Sequence, residues 1–418
     1  MPSPRPTRAT FWRLSLAMGV STVGRSMLGT AVPLFAVAQD VAPLWVGVLV
    51  ALPNALPVVL AMAAGRRVDG AGAGRWLTTG LIGTASAPLL LALAPGAVAL
   101  AAAQAIVGVF QLFSALAAQS YVAEASTEAS LDRDYATFAT LLSAGRLVGP
   151  LLVGVVIDMA GFRAAFAASG AAALAAVAMA AGLGPGVGRG VEDGRRTQYG
   201  DDPRPSEPDG AGADAAPPSR FGAREAWRSV GVQLAVLSSV AVFVGISVRQ
   251  AFLPLALEQL GYPATQIGAL LSLGALASVA VRPAMPVISR RLGGPARTLV
   301  VAMAAVAVGV GLMGVARHAA AFALLTVTAG VGTGVGRPLS IVTVARHVAP
   351  GRRGTALGLR MSSNRAAQLG APVLVGAVIG AAGFGAGFGA VGALLAAASW
   401  AAARRVGAFE RSDRSGRA

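Results

Sequence analysis

Long apolar runs separated by short polar breaks are the dominant pattern along the chain. Each run has about 20 residues or more, the length of helix that crosses a hydrocarbon layer about 30 Å thick. Six runs precede a long polar segment and six follow it. The pattern predicts twelve transmembrane helices, spans 1 to 12, at roughly 14–38, 44–64, 76–95, 97–122, 136–158, 163–184, 230–258, 264–286, 296–316, 320–345, 354–379 and 382–404.

Composition indicates the same class of protein. Hydrophobic residues make up 55% of the chain, charged residues only 12%, and the mean hydropathy is +0.67. So few charges cannot cover the surface of a soluble globule of 418 residues, which excludes a soluble enzyme. We predict an all-α membrane protein with twelve transmembrane helices in two pseudo-symmetric six-helix bundles.

The polar segment between the two sets of spans is rich in Gly, Pro, Asp, Glu and Arg. It cannot bury enough apolar surface to offset its ordering entropy, so we predict a flexible linker. The predicted organisation is an N-terminal tail at 1–13, a six-helix bundle at 14–184, the linker at 185–228, a second six-helix bundle at 229–404 and a C-terminal tail at 405–418.

The positions of the basic residues predict the topology. All 34 are Arg, the net charge is +16, and only Arg163 and Arg317 fall in loops opposite the termini. The positive-inside rule therefore places both termini in the cytoplasm, and we expect a multi-pass protein of the bacterial inner membrane. The arginines form no aromatic-rich basic stripe, so we expect the lipid bilayer and no nucleic acid as a partner. We expect the protein to function as a monomer.

The residue types needed for metal, redox or covalent chemistry are scarce. The chain has no Cys, and its two His residues, His318 and His347, lie near span ends. Disulfides, thiolate nucleophiles and sulfur-ligated metals are therefore excluded, and we expect no imidazole metal site. The middle of the spans carries no cluster of carboxylates or nucleophiles, so we expect no catalytic residues and no cofactor.

The two sets of spans are related by an internal repeat. At an offset of 221 residues Gly47 aligns with Gly268, and Leu49, Leu52 and Gly72 align with identical residues without a gap. Pro33-Leu34 likewise falls on Pro254-Leu255, and at an offset of 222 Gly149-Pro150 falls on Ala371-Pro372. Duplicated bundles are typical of alternating-access carriers, in which two halves rock about a site near the bilayer midplane. The alternative is chance similarity between apolar segments.

Five arginines lie well inside apolar runs, with no Asp or Glu at the same depth. They are Arg25, Arg146, Arg249, Arg337 and Arg365. An Arg at the bilayer centre costs about 2.5 to 3.5 kcal/mol on translocon scales, so these side chains should face the bundle interior or a watered cavity. The alternative is that each one caps carbonyls freed at nearby prolines or reaches an acid at a helix end.

The loop after span 2 reads Gly65-Arg66-Arg67-Val68-Asp69-Gly70-Ala71-Gly72, and the copy after span 8 reads Ser289-Arg290-Arg291-Leu292-Gly293. Span 5 carries a Gly-Pro motif of Gly145, Gly149, Pro150 and Gly154, in which glycines allow close helix approach and proline bends the helix. On these motifs the chain resembles a major facilitator superfamily transporter, nearest in pattern to twelve-helix drug/proton antiporters. The resemblance implies a two-bundle fold and export of a small organic molecule by alternating access.

The resemblance also implies which spans line the central cavity. Spans 1, 4, 7 and 10 do so in that family, which selects Arg25, Arg249 and Arg337 together with three glutamines. The full set of candidate cavity residues is Arg25, Gln104, Gln111, Arg146, Arg249, Gln250, Arg337, Asn364, Arg365 and Gln368. Guanidinium groups with amide neighbours suit a substrate that carries a carboxylate or a phosphate.

A charge latch follows from the same resemblance, because the loop after span 2 approaches span 11 and the loop after span 8 approaches span 5 in that family. Asp69 would face Arg352 and Arg353, and Arg290 and Arg291 would face Asp132 and Asp134. We expect these pairs to hold the cytoplasmic side shut when the carrier opens outward and to break when it opens inward. The alternative is that they are solvated loop charges that follow topology.

Coupling to protons is the least defined part of the prediction. The family's Arg in span 4 is Gln104 here, and no titratable group lies in the middle of a span. Asp158 and Glu258 at the outer span ends, or Glu124 at an inner end, are the candidate proton sites. For coupling, the alternatives are a proton that travels on the substrate and passive transport. For the function as a whole, the alternatives are an importer of an organic anion and a membrane scaffold or receptor without transport.

Overall fold

The computed structural model describes residues 8–55, 57, 73–127, 130–181, 225, 227–348 and 353–407. Its regular secondary structure over these ranges is entirely helical. The helices are α1 (Arg8–Ala38), α2 (Pro43–Ala55), α3 (Ala73–Leu93), α4 (Ala97–Ala125), α5 (Leu131–Ala180), α6 (Val230–Gln259), α7 (Ala264–Ala280), α8 (Met285–Arg291), α9 (Pro295–Gly311), α10 (Ala319–His347) and α11 (Arg353–Ala403). A 3-10 turn at Arg282–Ala284 joins α7 to α8.

Within the described ranges, nine helical stretches are long and apolar enough to cross a membrane, and α2 is a shorter apolar helix. Two of the nine, α5 and α11, have 50 and 51 residues and break at Gly161 and Gly383. These glycines have φ of 78° and 79°, a left-handed conformation that residues with a Cβ rarely adopt. Each of these long stretches is therefore two helices joined at a glycine. The count of twelve spans stays a prediction.

Both ends of the described chain lie at one end of the molecule. Arg8 at the start of α1 pairs with Asp134 at the start of α5, and Arg405 after α11 donates to Gln233 near the start of α6. We call this the termini end and the opposite one the far end. α1 begins six residues before the predicted span 1, because Phe11 at that end is buried in the core of the first bundle.

The helices form two bundles, α1 to α5 and α6 to α11. In the first bundle α1 packs along α5, and α3 packs on α4 and α5; in the second bundle α11 packs on α6 and α9, and α10 packs on α9 and α7. Large apolar side chains remain exposed on the outside, including Leu324, Leu374 and Leu394 at 64 to 69% exposure. An exposed apolar exterior of this kind suits contact with acyl chains.

The two bundles meet along two pairs of helices, α5 with α7 and α2 with α11. A Cβ on Gly268 of α7 would overlap the carbonyl of Pro150 in α5, and a Cβ on Gly47 of α2 would overlap the carbonyl of Pro372 in α11. Only residues without a side chain permit these approaches. The contacting positions are those that the internal repeat aligns, so the two interfaces are copies of each other.

Candidate functional site

A cavity of about 810 Å³ lies between the two bundles. Its lining comes from the middle and the termini-end parts of the helices, such as Gln119 near the end of α4 and Met361 near the start of α11. Ile341 and Met361 line it while 44% and 60% exposed, so the cavity opens toward the termini end. The glycine contacts of the two interfaces lie beyond it and close the far end.

The far-end closure includes a polar contact between the bundles. Oδ1 of Asp158 in α5 accepts the backbone N–H of Ala264 at 2.9 Å, and Oδ2 accepts that of Thr265 at 2.7 Å. These amides begin α7, and the residue before them is Pro263, which offers no side-chain cap of its own. A carboxylate at the positive end of a helix dipole is a favourable arrangement. Asp158 therefore caps a helix of the opposite bundle.

The Gly-Pro motif of α5 supplies contacts on two sides. A Cβ on Gly145 or Gly149 would collide with the backbone of α1, whereas a Cβ on Gly154 would overlap the carbonyl of Ala264 in α7. The first two glycines thus hold α5 against its own bundle, and Gly154 holds it against the second bundle. Pro150, whose carbonyl contacts Gly268, also lines the cavity.

All ten predicted cavity residues line this cavity. They are Arg25, Gln104, Gln111, Arg146, Arg249, Gln250, Arg337, Asn364, Arg365 and Gln368. Whether they contact a substrate stays a prediction.

The structure adds two arginines that sequence reasoning missed, Arg282 and Arg360. Arg282 begins the 3-10 turn after α7, and Arg360 lies in the third turn of α11. Both were passed over because they lie toward span ends. Helical spacing could have found them: Arg360 precedes Asn364 and Gln368 at intervals of four, and Arg282 follows Ala275 and Ser278 on one helical face.

The described lining carries seven arginines and no Asp, Glu, His or Lys. The seven are Arg25, Arg146, Arg249, Arg282, Arg337, Arg360 and Arg365. Several are close enough to repel one another: the charge on Arg146 is opposed by Arg25 and Arg282, and that on Arg337 by Arg146 and Arg282. Because Arg146 belongs to the first bundle and Arg282 and Arg337 to the second, like charges face each other across the cavity.

The arginines differ in their protein contacts. Arg360 donates from Nη2 to Ser340 Oγ at 2.9 Å, and Arg365 donates from Nη1 to Asn54 Oδ1 at 2.9 Å, a bond between the bundles. The guanidinium of Arg337 lies 5.2 Å from the centre of the Phe243 ring. Within the described ranges Arg25, Arg249 and Arg337 donate no hydrogen bond to a carbonyl freed by a proline, so the capping alternative has no support for these three residues.

Two guanidinium atoms are buried without a hydrogen-bond partner among the described residues, Nη1 of Arg249 and Nε of Arg282. Arg249 is only 8% exposed, and a Cβ on Gly274 would overlap its Nη1. The guanidinium of Arg249 therefore packs against α7 in the space that a side chain at Gly274 would fill. Nη1 has almost no exposed surface in this state and donates to no described residue, while other parts of Arg249 line the cavity.

The amide side chains are mostly engaged by the protein. Gln104 Nε2 donates to the Leu49 carbonyl at 2.9 Å and ties α4 to α2, and Asn364 Oδ1 accepts the hydroxyl of Ser239. Gln368 Nε2 donates to the Asn364 carbonyl at 3.2 Å. Gln250 is exposed to the cavity. These contacts leave the arginines as the principal unpaired donors of the site.

The latch residues that the structure describes lie at the termini end, but much of the predicted set falls outside the described part of the chain. Asp69 and Arg352 lie there, and of Asp132 and Arg353 only the backbone is described. Arg290 and Arg291 are exposed in the last turn of α8. Asp134 is buried and accepts from Arg8 Nη1 at 2.6 Å, Ser130 Oγ at 2.9 Å and Ser126 Oγ at 3.0 Å. In this state Asp134 is thus bound within its own bundle.

Of the candidate proton sites whose side chains the structure describes, only Asp158 joins the two bundles. Glu258 is exposed near the end of α6, and the side chain of Glu124 lies outside what the structure describes. The described residues contain no group of three or more His, Cys, Asp or Glu side chains that could hold a metal ion.

Comparisons with known proteins agree with this architecture. The family model described as Major Facilitator Superfamily matches residues 14–316. No curated protein matches the sequence.

Solved transporters share the fold over nearly their whole length. The chain is similar to the nucleoside transporter NupG, with a TM-score of 0.72 and 13% identity over 96% of this chain and 99% of that chain. A peptide transporter POT in complex with sulfate gives 0.71 and 14% over 96% and 95%. A bacterial homologue of the human lysosomal transporter Spinster, inward-facing and unoccupied, gives 0.68 and 12% over 97% and 96%. At such identities the likeness establishes the fold alone.

Proposed function

Because the chain belongs to the Major Facilitator Superfamily, and is therefore a multi-pass membrane transporter rather than an enzyme, we propose that it moves a small organic anion by alternating access. The observation that carries the proposal is the cavity between the bundles, lined by seven arginines and, over its described part, by no acid. Guanidinium groups withdrawn from bulk water require a compensating charge, and a bound anion provides it.

The dimensions and the chemistry of the cavity favour a small anionic substrate. Its volume of about 810 Å³ lies within the range of pockets that bind small molecules. Arg binds carboxylate and phosphate in a two-pronged geometry, and the described lining supplies seven of these side chains. Among small organic molecules, the site thus suits an organic acid or a phosphorylated compound better than a cationic or neutral compound.

The positive-inside pattern supports a topology in which the termini end faces the cytoplasm. The state described here is then inward-facing, with the outer side closed by the glycine contacts and by Asp158. Rocking the bundles apart at the far end and together at the termini end would present the cavity to the outside. The predicted latch would form when the termini end closes, and Asp134 would have to leave Arg8 to join it. Its residues are Asp69, Asp132, Asp134, Arg290, Arg291, Arg352 and Arg353.

We propose export as the direction, from the resemblance to drug/proton antiporters, with import as the alternative. Accumulation of an anion in everted vesicles but not in right-side-out vesicles of the same cells would support export. The opposite result would establish an importer. The proposed anion-binding cavity would be the same in either case.

Proton antiport is the coupling that the resemblance suggests, and Asp158 is the candidate residue best placed for it, because its carboxylate joins the bundles. A second candidate, exchange of one anion for another, is favoured by the lack of titratable acids in the described lining. Efflux that collapses with an uncoupler supports the proton. Efflux that is insensitive to the uncoupler but requires an anion on the opposite side of the membrane supports anion exchange.

A thermal-shift screen of the purified protein against anionic, neutral and cationic compounds tests the substrate class. Only anions should raise the melting temperature, and Arg25→Gln, Arg249→Gln or Arg337→Gln should reduce the shift. Arg163→Gln is the matched control, because Arg163 is exposed away from the cavity. Stabilisation by cations or neutral compounds alone would overturn the proposal. Binding without flux in proteoliposomes would indicate a receptor.

A further inference from the structure

The charge of the site is distributed between both bundles. Arg25 and Arg146 come from the first bundle, and Arg249, Arg282, Arg337, Arg360 and Arg365 come from the second. Arg360 and Arg365 each have a side-chain hydrogen-bond partner in the protein, so their donors are partly used. The remaining five present guanidinium groups whose charge no described acid compensates.

Three of these five form a mutually repelling set at the junction of the bundles. Arg146 lines the cavity from the first bundle and Arg282 and Arg337 line the same cavity from the second, so their like charges repel one another. Because Arg146 moves with one bundle and the other two move with the opposite one, their repulsion opposes any approach of the bundles at the termini end. One negative charge placed among them offsets only part of that repulsion.

Two arginines of the site each have one buried nitrogen without a described hydrogen-bond partner. Arg249 is more than nine-tenths buried, lines the cavity, and has no described partner for Nη1. Arg282 has none for Nε. Arg249 comes from the middle of α6 and Arg282 from the turn after α7 toward the termini end. The two side chains thus line different levels of the cavity, and a single compact anionic group would not contact both.

We propose that the site takes a multivalent organic anion, with at least two separated carboxylate or phosphate groups, that bridges Arg146 of the first bundle and Arg282 and Arg337 of the second. This inference rests on the proposed function and narrows its substrate class. Simultaneous contact with both bundles lets the substrate itself neutralise the charge that keeps them apart. A monovalent anion would bind more weakly and would not promote closure.

Two series of commercial anions with increasing charge test the proposal on the purified full-length protein. Butyrate, succinate and tricarballylate carry one, two and three carboxylates, and phosphate, pyrophosphate and tripolyphosphate form the second series. Calorimetry should show the dissociation constant falling roughly tenfold with each added group in one series, about 1.4 kcal/mol per step. The series that responds distinguishes carboxylate from phosphate ligands.

Arg146→Gln should flatten this charge dependence, while Arg146→Lys should keep most of it and Arg163→Gln all of it. Unfolding temperatures without ligand identify any variant that fails for lack of folding, and Arg337→Gln then serves as the second test. Equal affinity for the members with one, two and three anionic groups overturns the inference and leaves the anion carrier intact. Binding of none of the six anions, with binding of a neutral or cationic compound, overturns the proposed function itself.

Discussion

The hydrogen bonds of Asp158 to the first amides of α7 should hold the far end closed. Asp158→Ala removes both bonds, at 2.9 Å to Ala264 and 2.7 Å to Thr265. Charged hydrogen bonds contribute about 1.5 to 3 kcal/mol each when buried, but this end is exposed and water replaces them in the open state. A helix cap typically stabilises by about 1 kcal/mol, so we expect a loss of about 1 to 2 kcal/mol. The open-to-closed ratio should then rise roughly 5- to 30-fold.

Single-cysteine labelling measures this ratio directly, since the wild-type chain contains no Cys. Ala275→Cys places a thiol in the cavity wall, and an impermeant maleimide is applied separately to each face of the membrane. In Asp158→Ala the labelling rate from the far end should rise roughly 5- to 30-fold. In Asp158→Asn, which keeps one acceptor oxygen, this labelling rate should rise by less. Asp40→Asn is the matched control, an exposed far-end acid whose replacement tolerates its positive φ. An unchanged far-end rate in a folded Asp158→Ala protein would refute the reasoning.

Three further predictions concern packing and buried charge. Gly274→Ala should displace Arg249 and weaken anion binding severalfold to about tenfold, whereas Gly380→Ala, which meets no atom within 4 Å and lies outside the cavity lining, should not; equal calorimetric affinities would contradict this. Gly268→Ala should raise far-end labelling because its Cβ overlaps the Pro150 carbonyl, while Gly370→Ala faces open space and should label as wild type does. Arg8→Gln should lower the unfolding free energy by about 1 to 3 kcal/mol because it leaves the buried carboxylate of Asp134 with hydroxyl donors only. Arg13→Gln on the same exposed helix end should leave thermal unfolding unchanged, and equal melting curves for the two variants would count against that role of Arg8.

The fold was predictable from the sequence because a membrane-spanning helix must be both long and apolar. The prediction of an all-α membrane protein with paired bundles is confirmed. The sequence repeat by itself aligns Gly47 with Gly268 and Pro150 with Pro372, and these residues form the two interfaces between the bundles. Close backbone approach restricts such positions to small residues, which leaves a mark in the sequence.

The site was predictable in part. Arginines deep in apolar runs were placed in the cavity because facing lipid is costly, and all five line it. Arg282 and Arg360 were missed because a charge near a span end can reach water in several ways, and only the turn at Arg282–Ala284 and the packing of Arg360 on Ser340 decide which. The cap that Asp158 provides for α7 depends on how the two bundles meet, which no local pattern encodes.

Flux of labelled compounds into proteoliposomes that contain the purified wild-type protein or Arg146→Gln tests the central claim most directly. The panel contains multivalent anions, a monovalent anion, a neutral sugar and a lipophilic cation. We expect the wild-type protein to move multivalent anions only, and Arg146→Gln to move them at least about tenfold more slowly. Transport of the cation or the sugar at the same rate by both proteins would contradict an arginine-lined anion site.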